Sequence, residues 1–356
     1  MRREEGLRVR ALQALGDNMA VKKLEAQEII GAMQKKQILI IGDMVADIYL
    51  DGRISRISRE APVLVLEQAG EKVIAGGAAN VVNNIATLGG TAYAVGILGR
   101  DGAADGLRHI FMKNGVRMEG LFGDENRPTT TKTRIIAGGR ATVSQQIVRI
   151  DRTCSDPLSE TMEMELLRAI SNILPHVDGV VISDYGAGTV TPKIQQKIIE
   201  YCKENRIPSI VDSRYDVVRF KGIGYVKQND AELSAAIGHD LADEPSIVQA
   251  AQNLIKQLAC DGVLVTRGEK GMILVQKTGD VHNIPVTDKS EVFDVSGAGD
   301  TCVAAMILAL AGGIAPKIAA CTSNFASGIA VRKLGTATVS ASELRAAILK
   351  RREREN

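Results

Sequence analysis

The sequence predicts an α/β fold: a three-layer α/β/α core around a central, mainly parallel sheet, with a small additional β-sheet that is a lid or an oligomer surface. Short apolar runs alternate with segments of helical periodicity along most of the 356 residues, a pattern typical of parallel strands covered by helices. The run QILIIGD at 37–43 ends in Gly-Asp, as expected of a buried strand that delivers a loop to the sheet edge. Two strand-like segments, 62–74 and 130–150, interrupt the alternation and predict the small sheet.

The elements follow one another in a regular order. Residues 1–35 are predicted to form a polar extension that is partly an amphipathic helix, because its apolar residues recur at roughly helical spacing. The main domain spans 36–352, with lid strands within about 49–74 and 130–150, the latter a hairpin turning at Gly138-Gly139. The predicted core strands are 37–43, 91–97, 179–183, 208–212, 224–227, 262–266 and 272–276. The predicted helices are 78–88, 103–114, 160–174, 192–205, 230–237, 246–259, 297–310, 316–332 and 341–351.

The composition excludes several classes of protein. Hydrophobic residues make up 45% of the chain and charged residues 24%, the balance of a folded rather than a disordered protein. Lys and Arg number 44 against 42 Asp and Glu, a formal net charge of +2, which argues against a broadly basic nucleic-acid-binding protein. Aromatic residues amount to 3%, with no Trp, so base-stacking platforms are not expected. We therefore expect no nucleic-acid partner.

Cysteine and hydropathy patterns bear on the cellular compartment. The five cysteines are odd in number and none form a CxxC pair, which fits a reducing cytoplasm better than a disulfide framework or a zinc site. The longest apolar stretch, 303–315, is too short to cross a bilayer. The opening MRREEGLRVR is not followed by the apolar segment of a secretory signal. We expect a cytoplasmic protein without a membrane partner.

The motif DVSGAGDT at 294–301 carries the strongest chemical signal, because an apolar helix follows it directly. Gly297 and Gly299 allow main-chain N–H groups to approach a ligand closely, and the N-terminus of a helix favours an anion. Asp300 lies in the same first turn, where a carboxylate beside bound phosphate could accept a proton from an attacking hydroxyl. An ordinary capped helix start, with Ser296 or Asp294 as the cap, explains the motif equally well.

Two further glycine motifs precede it. AGGAANVVNNIATLGG at 75–90 has a Gly pair at the start of a helix and Asn80 one turn later. An amide at such a position can donate to and accept from hydroxyl groups, although a turn followed by an Asn-bearing helix is the simpler reading. VGILGRDGAADGL at 95–107 is most simply a structural turn with Asp101 near a helix N-cap.

The pairing of AGGAAN with DVSGAGDT, with GxxGxD between them, resembles the ribokinase-like (PfkB) family of carbohydrate kinases. The similarity runs over roughly residues 37–350. It implies a ribokinase-like fold with a β-lid and transfer of the γ-phosphoryl group of ATP to a sugar hydroxyl with Mg²⁺, and it leaves a monovalent-cation requirement open. Because the lid often pairs between subunits in this family, the resemblance also implies a homodimer through the lid.

Carried to matching positions, the resemblance implies roles for individual residues. It makes Asp300 the catalytic base and Gly297, Ala298 and Gly299 an anion hole. Contacts to the nucleotide are implied for Asn229, Glu232, Thr266, Gly268, Gly271 and Asn324, and Glu232 is also implied as an indirect metal ligand. Contacts to sugar hydroxyls are implied for Asp43, Asp47, Gly76, Gly77 and Asn80.

Segments 43–65, 131–151 and 183–191 resemble in particular the heptose 7-phosphate kinases of lipopolysaccharide heptose synthesis, which phosphorylate the anomeric hydroxyl to give the 1,7-bisphosphate. A substrate that already carries a phosphate needs cationic side chains beyond those that serve ATP. The cationic candidates in these segments are Arg53, Arg56, Arg59, Lys132, Arg134 and Arg149, and for each of them a solvated surface charge is an equally good explanation. Asp184, in SDYGAGTVT, is a further implied substrate contact.

The sequence also departs from the family. An Asp-Pro-Lys triplet is expected after the strand ending at 211, and the chain has Asp212-Ser213-Arg214 instead, which puts the substrate in question. No HxGH-type nucleotidyltransferase motif is present, so the chain is expected to perform only the kinase step. The alternatives are a kinase of the fructose or ribose class, a non-catalytic sugar-sensing protein on a kinase fold, and a dinucleotide-dependent oxidoreductase. The last is disfavoured because no GxGxxG follows the first strand.

Overall fold

The computed structural model describes residues 26–138, 145–241, 243–287 and 292–355, with side chains as far as residue 350. The strands are β1 (Gln37–Gly42), β2 (Met44–Ile57), β3 (Leu64–Gly77), β4 (Thr91–Leu98), β5 (Arg117–Gly123), β6 (Thr130–Gly138), β7 (Gln145–Arg152), β8 (Gly179–Asp184), β9 (Ser209–Ser213), β10 (Tyr225–Asn229), β11 (Gly262–Thr266), β12 (Met272–Gln276) and β13 (Val281–Ile284). The α-helices are α1 (Ala26–Met33), α2 (Ala78–Thr87), α3 (Gly102–Lys113), α4 (Glu160–Ile173), α5 (Pro192–Asn205), α6 (Asp230–Ile237), α7 (Glu244–Leu258), α8 (Ala298–Ala311), α9 (Pro316–Ala330) and α10 (Ala341–Glu355).

A large sheet forms the centre of the fold, in the order β13-β12-β11-β10-β9-β8-β1-β4-β5. The neighbours from β11 to β5 are parallel, whereas β12 and β13 are antiparallel. Successive side chains of β1 point to opposite faces: Ile38 and Ile40 join a core with α2, α8 and α9, and Leu39 and Ile41 join one with α4, α5 and α7. The predicted α/β fold with a mainly parallel central sheet is confirmed.

The carboxyl end of β1 lies very close to β8. A methyl group at Gly42 would stand 1.9 Å from the carbonyl oxygen of Ser183, so only glycine allows the two strands to approach at this point. Each of the four apolar side chains that precede Gly42 is fully buried, and burial of such a side chain stabilises a fold by about 1.5–3 kcal/mol. The core therefore fixes the sheet edge at which β1, β8, β9 and β10 end.

A second, smaller sheet has the order β3-β2-β6-β7, and these four strands are called the small sheet below. Strand β2 begins one residue after β1 ends, so the small sheet starts directly from the carboxyl edge of the large one. Strand β2 pairs antiparallel with β3 and parallel with β6. The register between β2 and β3 shifts at Asp51/Gly52 and at Ile54/Arg56. Strands β6 and β7 form a hairpin as predicted, and its predicted turn at Gly138-Gly139 lies partly outside the described residues.

The structure differs from the sequence analysis in three strands. The first five residues of β2, 44–48, were not predicted as strand, because the Gly-Asp at the end of the preceding apolar run was interpreted as the start of a loop. Strands β5 and β13 were missed because their apolar runs are short and interrupted. Helix α1, within the predicted extension 1–35, buries its apolar face in the core. No described helix has the length and apolar character needed to span a bilayer.

Candidate active site

The loop before α8 is built around a left-handed glycine. Gly297, the N-cap of α8, has φ of 78°, and a methyl group there would lie 2.5 Å from Nδ2 of Asn80 and 2.6 Å from Cγ2 of Thr336. The carboxylate of Asp294 ties the loop down by accepting hydrogen bonds from the N–H of Ser296 at 2.8 Å and of Gly335 at 3.1 Å. The first turn of α8 is thereby fixed at the carboxyl edge of the sheet. The N–H of Ala298, predicted to belong to the anion hole, donates instead to the carbonyl oxygen of Val295 at 3.3 Å, whereas Gly297 and Gly299 line the cavity.

Asp300 lies in that first turn and is buried. Its Oδ2 accepts a hydrogen bond from Asn80 Nδ2 at 2.9 Å, and its Oδ1 accepts one from the Tyr185 hydroxyl at 3.0 Å. Burial, reinforced by the negative charge of Asp212, raises the pKa of Asp300 to about 6, although the two hydrogen bonds and Lys227 act in the opposite direction. A carboxylate with a pKa close to the working pH is well suited to accept a proton in catalysis.

A buried cation lies beside this carboxylate. Lys227, on β10, places Nζ 2.9 Å from Oδ2 of Asp212 and 3.9 Å from Oε2 of Glu232. Although burial opposes its charge, the two carboxylates keep the pKa of Lys227 above its ordinary value, so it stays protonated. A methyl group at Gly299 would come within 2.8 Å of the same Nζ. The first turn of α8 therefore rests against a permanent positive charge.

These groups surround one cavity of about 90 Å³ at the carboxyl edge of the large sheet. The residues that line it are Asp184, Tyr185, Asp212, Arg214, Lys227, Glu232, Gly297, Gly299 and Asp300. Main-chain N–H groups, two basic side chains and several carboxylates thus face a single space. Such a combination suits a bound phosphate with a metal ion and a hydroxyl nucleophile nearby.

Asn229 and Glu232 form a reciprocal capping box at the start of α6. The N–H of Asn229 donates to Oε2 of Glu232 at 2.8 Å, and the N–H of Glu232 donates to Oδ1 of Asn229 at 2.7 Å. Burial raises the pKa of Glu232, even with Lys227 nearby. Within the described ranges, no three His, Cys, Asp or Glu side chains cluster to hold a metal. The carboxylate of Glu232, which lines the cavity, fits a Mg²⁺ ion held mainly by phosphate oxygens and water.

Asp47 connects the small sheet with the loop after α9. Its Oδ1 pairs with Nη1 of Arg134 at 2.8 Å, and its Oδ2 accepts a hydrogen bond from Thr336 Oγ1 at 2.8 Å. A methyl group at Gly76 would stand 2.6 Å from Oδ2 of Asp47, so glycine is required for this approach. Gly77 has φ of 54° and begins α2, the helix that presents Asn80 to Asp300.

The carboxylates of Asp43 and Asp184 are used within the protein. Asp43 accepts hydrogen bonds from the N–H groups of Tyr185 at 2.8 Å, Ala187 at 3.0 Å and Thr189 at 3.2 Å, and burial still raises its pKa. Asp184 accepts hydrogen bonds from the Ser213 hydroxyl at 2.8 Å and from Arg219 at 2.9 Å. Both residues lie at the edge where a sugar contact is predicted, and the bonds of Asp43 hold the loop after β8.

The cationic residues predicted to hold the substrate phosphate differ in their distance from the cavity and in their exposure to solvent. Lys132 places Nζ 5.0 Å from the centre of the Tyr185 ring, next to the cavity, and Arg134 is held by Asp47. Arg149 instead pairs with Asp151 on its own strand, and half of its side chain is exposed. The remaining candidates are exposed on the small sheet or just beyond β2, away from the cavity: Arg53, Arg56 and Arg59.

The residues predicted to bind the nucleotide lie along the same edge. Thr266 ends β11 directly beside Asn229 of β10. Gly268 and Gly271 have φ of 54° and 82°, and a methyl group at Gly271 would stand 2.1 Å from the carbonyl oxygen of Ile284. Asn324 is buried and donates from Nδ2 to the carbonyl oxygen of Pro285 at 2.7 Å. Its amide nitrogen therefore orders the loop after β13.

The sequence analysis did not identify Lys227, Asp212 or Tyr185 as parts of the site. A signal for Lys227 was present, because a charged residue in a predicted buried strand needs a partner. Asp212 is the penultimate residue of the neighbouring strand β9 and stands opposite Lys227 in the parallel register. Tyr185 follows β8 by one residue, in a segment noted only for its resemblance, and nothing in its local pattern predicts a contact with Asp300.

Comparison with known proteins agrees with this geometry. The description "pfkB family carbohydrate kinase" matches residues 35–343. The chain is 40% identical over 307 residues to the bifunctional protein HldE of Geobacter metallireducens and 38% identical over 314 residues to that of Mesorhizobium japonicum. These alignments cover 86% and 88% of this chain, and 61% and 62% of the relatives. The chain thus spans about three fifths of the length of these relatives.

Solved structures share the fold at lower identity. Arabidopsis thaliana ribokinase, in complex with ribose and ATP, superposes with a TM-score of 0.67 at 20% identity, covering 89% of this chain and 98% of that one. Phosphofructokinase-2 of Escherichia coli superposes with a TM-score of 0.70 at 21% identity, covering 89% and 99%. Both comparisons confirm the ribokinase-like architecture.

The fold is that of the ribokinase-like proteins, and the match to the family extends over most of the chain. The chain belongs to the PfkB family of carbohydrate kinases, as the sequence predicted.

Proposed function

We propose that this protein is an ATP-dependent kinase that phosphorylates the anomeric hydroxyl of a heptose 7-phosphate to the 1,7-bisphosphate, in the synthesis of ADP-heptose for lipopolysaccharide. The observation that carries the phosphotransferase chemistry is the position of Asp300, buried at the start of α8 beside Lys227 and facing the cavity. The similarity to proteins named HldE over most of the chain supports the heptose substrate. So does the resemblance of segments 43–65, 131–151 and 183–191 to heptose 7-phosphate kinases.

In the proposed reaction Asp300 accepts the proton of the anomeric hydroxyl as that oxygen attacks the γ-phosphorus of ATP. The new O–P bond forms while the bond from the γ-phosphorus to the bridging oxygen of ADP breaks. The main-chain N–H groups of Gly297 and Gly299 and the ammonium of Lys227 stabilise the charge on the transferring group. Catalysis of this kind depends on positioning and electrostatics rather than covalent chemistry.

The proposed sugar site lies between the small sheet and the carboxyl edge of the large one. Asp47 and Asn80 are the side chains placed to select hydroxyl groups, with Gly76 and Gly77 providing close approach. Lys132 lies beside the cavity next to Tyr185, and Arg214 lines it. We assign the phosphate that the substrate already carries to these cations, because a dianion requires charge beyond that serving ATP.

ATP would lie along the ends of β10 and β11, near Thr266, Gly268 and Gly271, and it would reach α8 with its phosphates. Mg²⁺ bound to those phosphates would neutralise their charge, and Glu232 is the carboxylate that would face it. Asn229 acts indirectly, since its reciprocal bonds hold Glu232 at the start of α6. Asn324 orders the adjoining loop through Pro285.

The decisive experiment is a phosphate-transfer assay with a panel of acceptors: heptose 7-phosphate, fructose 6-phosphate, fructose and ribose. Transfer to heptose 7-phosphate far above the others, abolished by Asp300→Asn, would support the proposal. Asp261→Asn is the matched control, because Asp261 pairs with Lys277 on an exposed loop remote from the cavity. A clear preference for fructose or ribose would refute the heptose assignment, and absence of transfer to every acceptor would refute the kinase proposal.

We also propose that the protein forms a homodimer through the small sheet. Ile57 and Leu64 face each other across β2 and β3 and are 67% and 44% exposed. Val148 and Ile150, two residues apart on β7, are 44% and 55% exposed. These two pairs of exposed apolar side chains lie at different parts of the small sheet, and each is suited to contact a second copy. Light scattering of the wild type and of Ile57→Asp/Ile150→Asp tests this: the wild type should be dimeric and the variant monomeric.

The compartment proposed for this enzyme is the cytoplasm. All five cysteines are free thiols, and three of them, Cys202, Cys260 and Cys302, are buried. Burial raises the pKa of Cys202 to about 12 and that of Cys260 to about 11, so these thiols remain protonated and unreactive. Proteins with many free thiols are typical of reducing compartments, where sugar phosphates and ATP are also available.

A further inference from the structure

The hydroxyl of Tyr185 makes a direct contact with the proposed base. It donates a hydrogen bond to Oδ1 of Asp300 at 3.0 Å, while Asn80 donates to Oδ2 at 2.9 Å. Each oxygen of Asp300 thus has one donor from the protein. A carboxylate offers about four lone-pair positions, so both oxygens keep a position at which an incoming hydroxyl can bind.

Two contacts hold Tyr185 in place. Its main-chain N–H donates to the buried carboxylate of Asp43 at 2.8 Å. The ammonium of Lys132, on β6 of the small sheet, lies 5.0 Å from the centre of the ring, within the range of a cation–π interaction. The hydroxyl is therefore aimed at Asp300 by contacts from both sheets.

Tyr185 can act only as a donor in this position. Burial, together with the negative charges of Asp300 and Asp212, raises the pKa of Tyr185 well above its ordinary value, so the hydroxyl keeps its proton. It cannot serve as the base itself, and it cannot accept the proton of the substrate. Its effect must be exerted through the orientation and the ionisation of Asp300.

We propose that Tyr185 is a positioning residue for the catalytic base. Its hydroxyl orients the Asp300 carboxylate and keeps it ionised, so that it can accept the proton of the sugar hydroxyl. The proposal rests on the assignment of Asp300 as the base in the proposed function. It adds a residue from the loop after β8 whose contact depends on Asp43 on one side and on Lys132 of the small sheet on the other.

The ionisation of Asp300 depends on groups from each element packed around it. Asp212 on β9 opposes the negative charge, whereas Lys227 on β10 favours it. Lys132 on β6 adds a favourable charge from the small sheet, and Asn80 on α2 donates a neutral hydrogen bond. Since the Tyr185 hydroxyl also favours the charged form, its removal should raise the pKa of Asp300 above its present value of about 6.

The test compares Tyr185→Phe with the wild type and with Tyr215→Phe. Phenylalanine keeps the ring beneath Lys132 and removes only the hydroxyl. Tyr215, in the adjoining loop, is 74% exposed and provides the matched control. Two quantities are measured for each protein: the pH dependence of kcat/KM with its preferred sugar, and the pKa of Asp300 from carboxyl-carbon NMR of aspartate-labelled protein, assigned with Asp300→Asn.

The expected result for Tyr185→Phe is an upward shift of roughly one pH unit in both the acid limb of kcat/KM and the pKa of Asp300. A several-fold loss of kcat should accompany it, with the KM for ATP unchanged. An unshifted Asp300 pKa in a folded Tyr185→Phe protein would overturn the proposal, as would an equal shift in Tyr215→Phe. If the wild type transferred phosphate to no sugar, the proposed function would fail, while the NMR measurement would still decide whether Tyr185 controls Asp300.

Discussion

Lys227 and Asp212 form a buried ion pair, with Nζ 2.9 Å from Oδ2, at the point where neighbouring parallel strands end. The pair lies directly beneath the first turn of α8, because a methyl group at Gly299 would come within 2.8 Å of the same Nζ. The positive charge is thus held in place before any phosphate binds, and the protein needs little rearrangement to use it.

Replacement of the base should separate turnover from binding. Asp300→Asn removes the proton acceptor while keeping the size of the side chain, and loss of a general base reduces turnover by about 10²–10⁴-fold. We expect kcat to fall by such a factor while the Kd for ATP, measured by calorimetry, changes little. A variant that retained more than a tenth of wild-type turnover would contradict the assignment of Asp300 as the base.

The pH dependence of activity should follow the ionisation of Asp300. Its pKa of about 6 means that the carboxylate form, which accepts the proton, is lost as the pH falls through 6. We therefore expect kcat/KM to be constant from about pH 7 upward on this limb and to fall tenfold per unit well below pH 6. An acid limb near pH 4, the value for an exposed carboxyl, would show that burial does not control this group.

The raised pKa of Asp300 should also affect the stability of the protein, which should fall with rising pH while activity rises. Because the folded pKa of Asp300 lies above the unfolded value, the native state binds more protons between about pH 4 and pH 6, and it loses stability as the pH rises through that window. Relative to Asp300→Asn, the wild type should lose up to about 3 kcal/mol of unfolding free energy between these limits. Urea denaturation of both proteins across the window measures this difference, and parallel curves would contradict it.

The buried ion pair can be tested with a double-mutant cycle. Lys227→Met should leave Asp212 buried without its partner and reduce stability by about 3–5 kcal/mol. The double variant Lys227→Met/Asp212→Asn should recover much of this loss, because no uncompensated charge remains. Activity should stay low in both, since the positive charge under α8 is absent in each. Recovered activity in the double variant would show that Lys227 has only a structural role.

Substitution of Gly297, before the first turn of α8, should affect activity differently from substitution of Gly313, which lies just beyond the end of the same helix. Gly297 and Gly313 have φ of 78° and 77°, but a methyl group at Gly313 meets nothing within 4 Å. Alanine at Gly313 should reduce stability by about 1–2 kcal/mol through left-handed strain. Alanine at Gly297 should reduce it further, because its methyl group also overlaps with Asn80 and Thr336. Only Gly297→Ala should also abolish activity, because its methyl group displaces Asn80 from Asp300. Equal activity in the two variants would refute this role of Gly297.

Much of the architecture follows from the sequence alone. The apolar runs and their helical intervals predicted the central sheet, and the segments that break this rhythm predicted the small one. Asp300 and Asn80 came from separate motifs, 220 residues apart, and the structure joins them by one hydrogen bond. Their functional roles stay predictions until the variants are measured.

What the sequence did not predict depends on strand order and register. The pair of Lys227 and Asp212 exists because β9 and β10 are neighbours in one particular alignment, which local patterns do not encode. Likewise, the segment that contains Arg149 suggested a contact with the substrate. In the structure its guanidinium pairs with Asp151, two residues away on the same strand. Long-range pairing thus decided which charged residues meet at the cavity.

A single residue, Asp43, separates the last residue of β1 from the first residue of β2. The same residue holds the N–H groups of Tyr185, Ala187 and Thr189 through its carboxylate. The junction between the two sheets and the segment that carries Tyr185 are therefore anchored at the same carboxylate. A substitution at Asp43 would disturb both the start of the small sheet and the donor that faces Asp300.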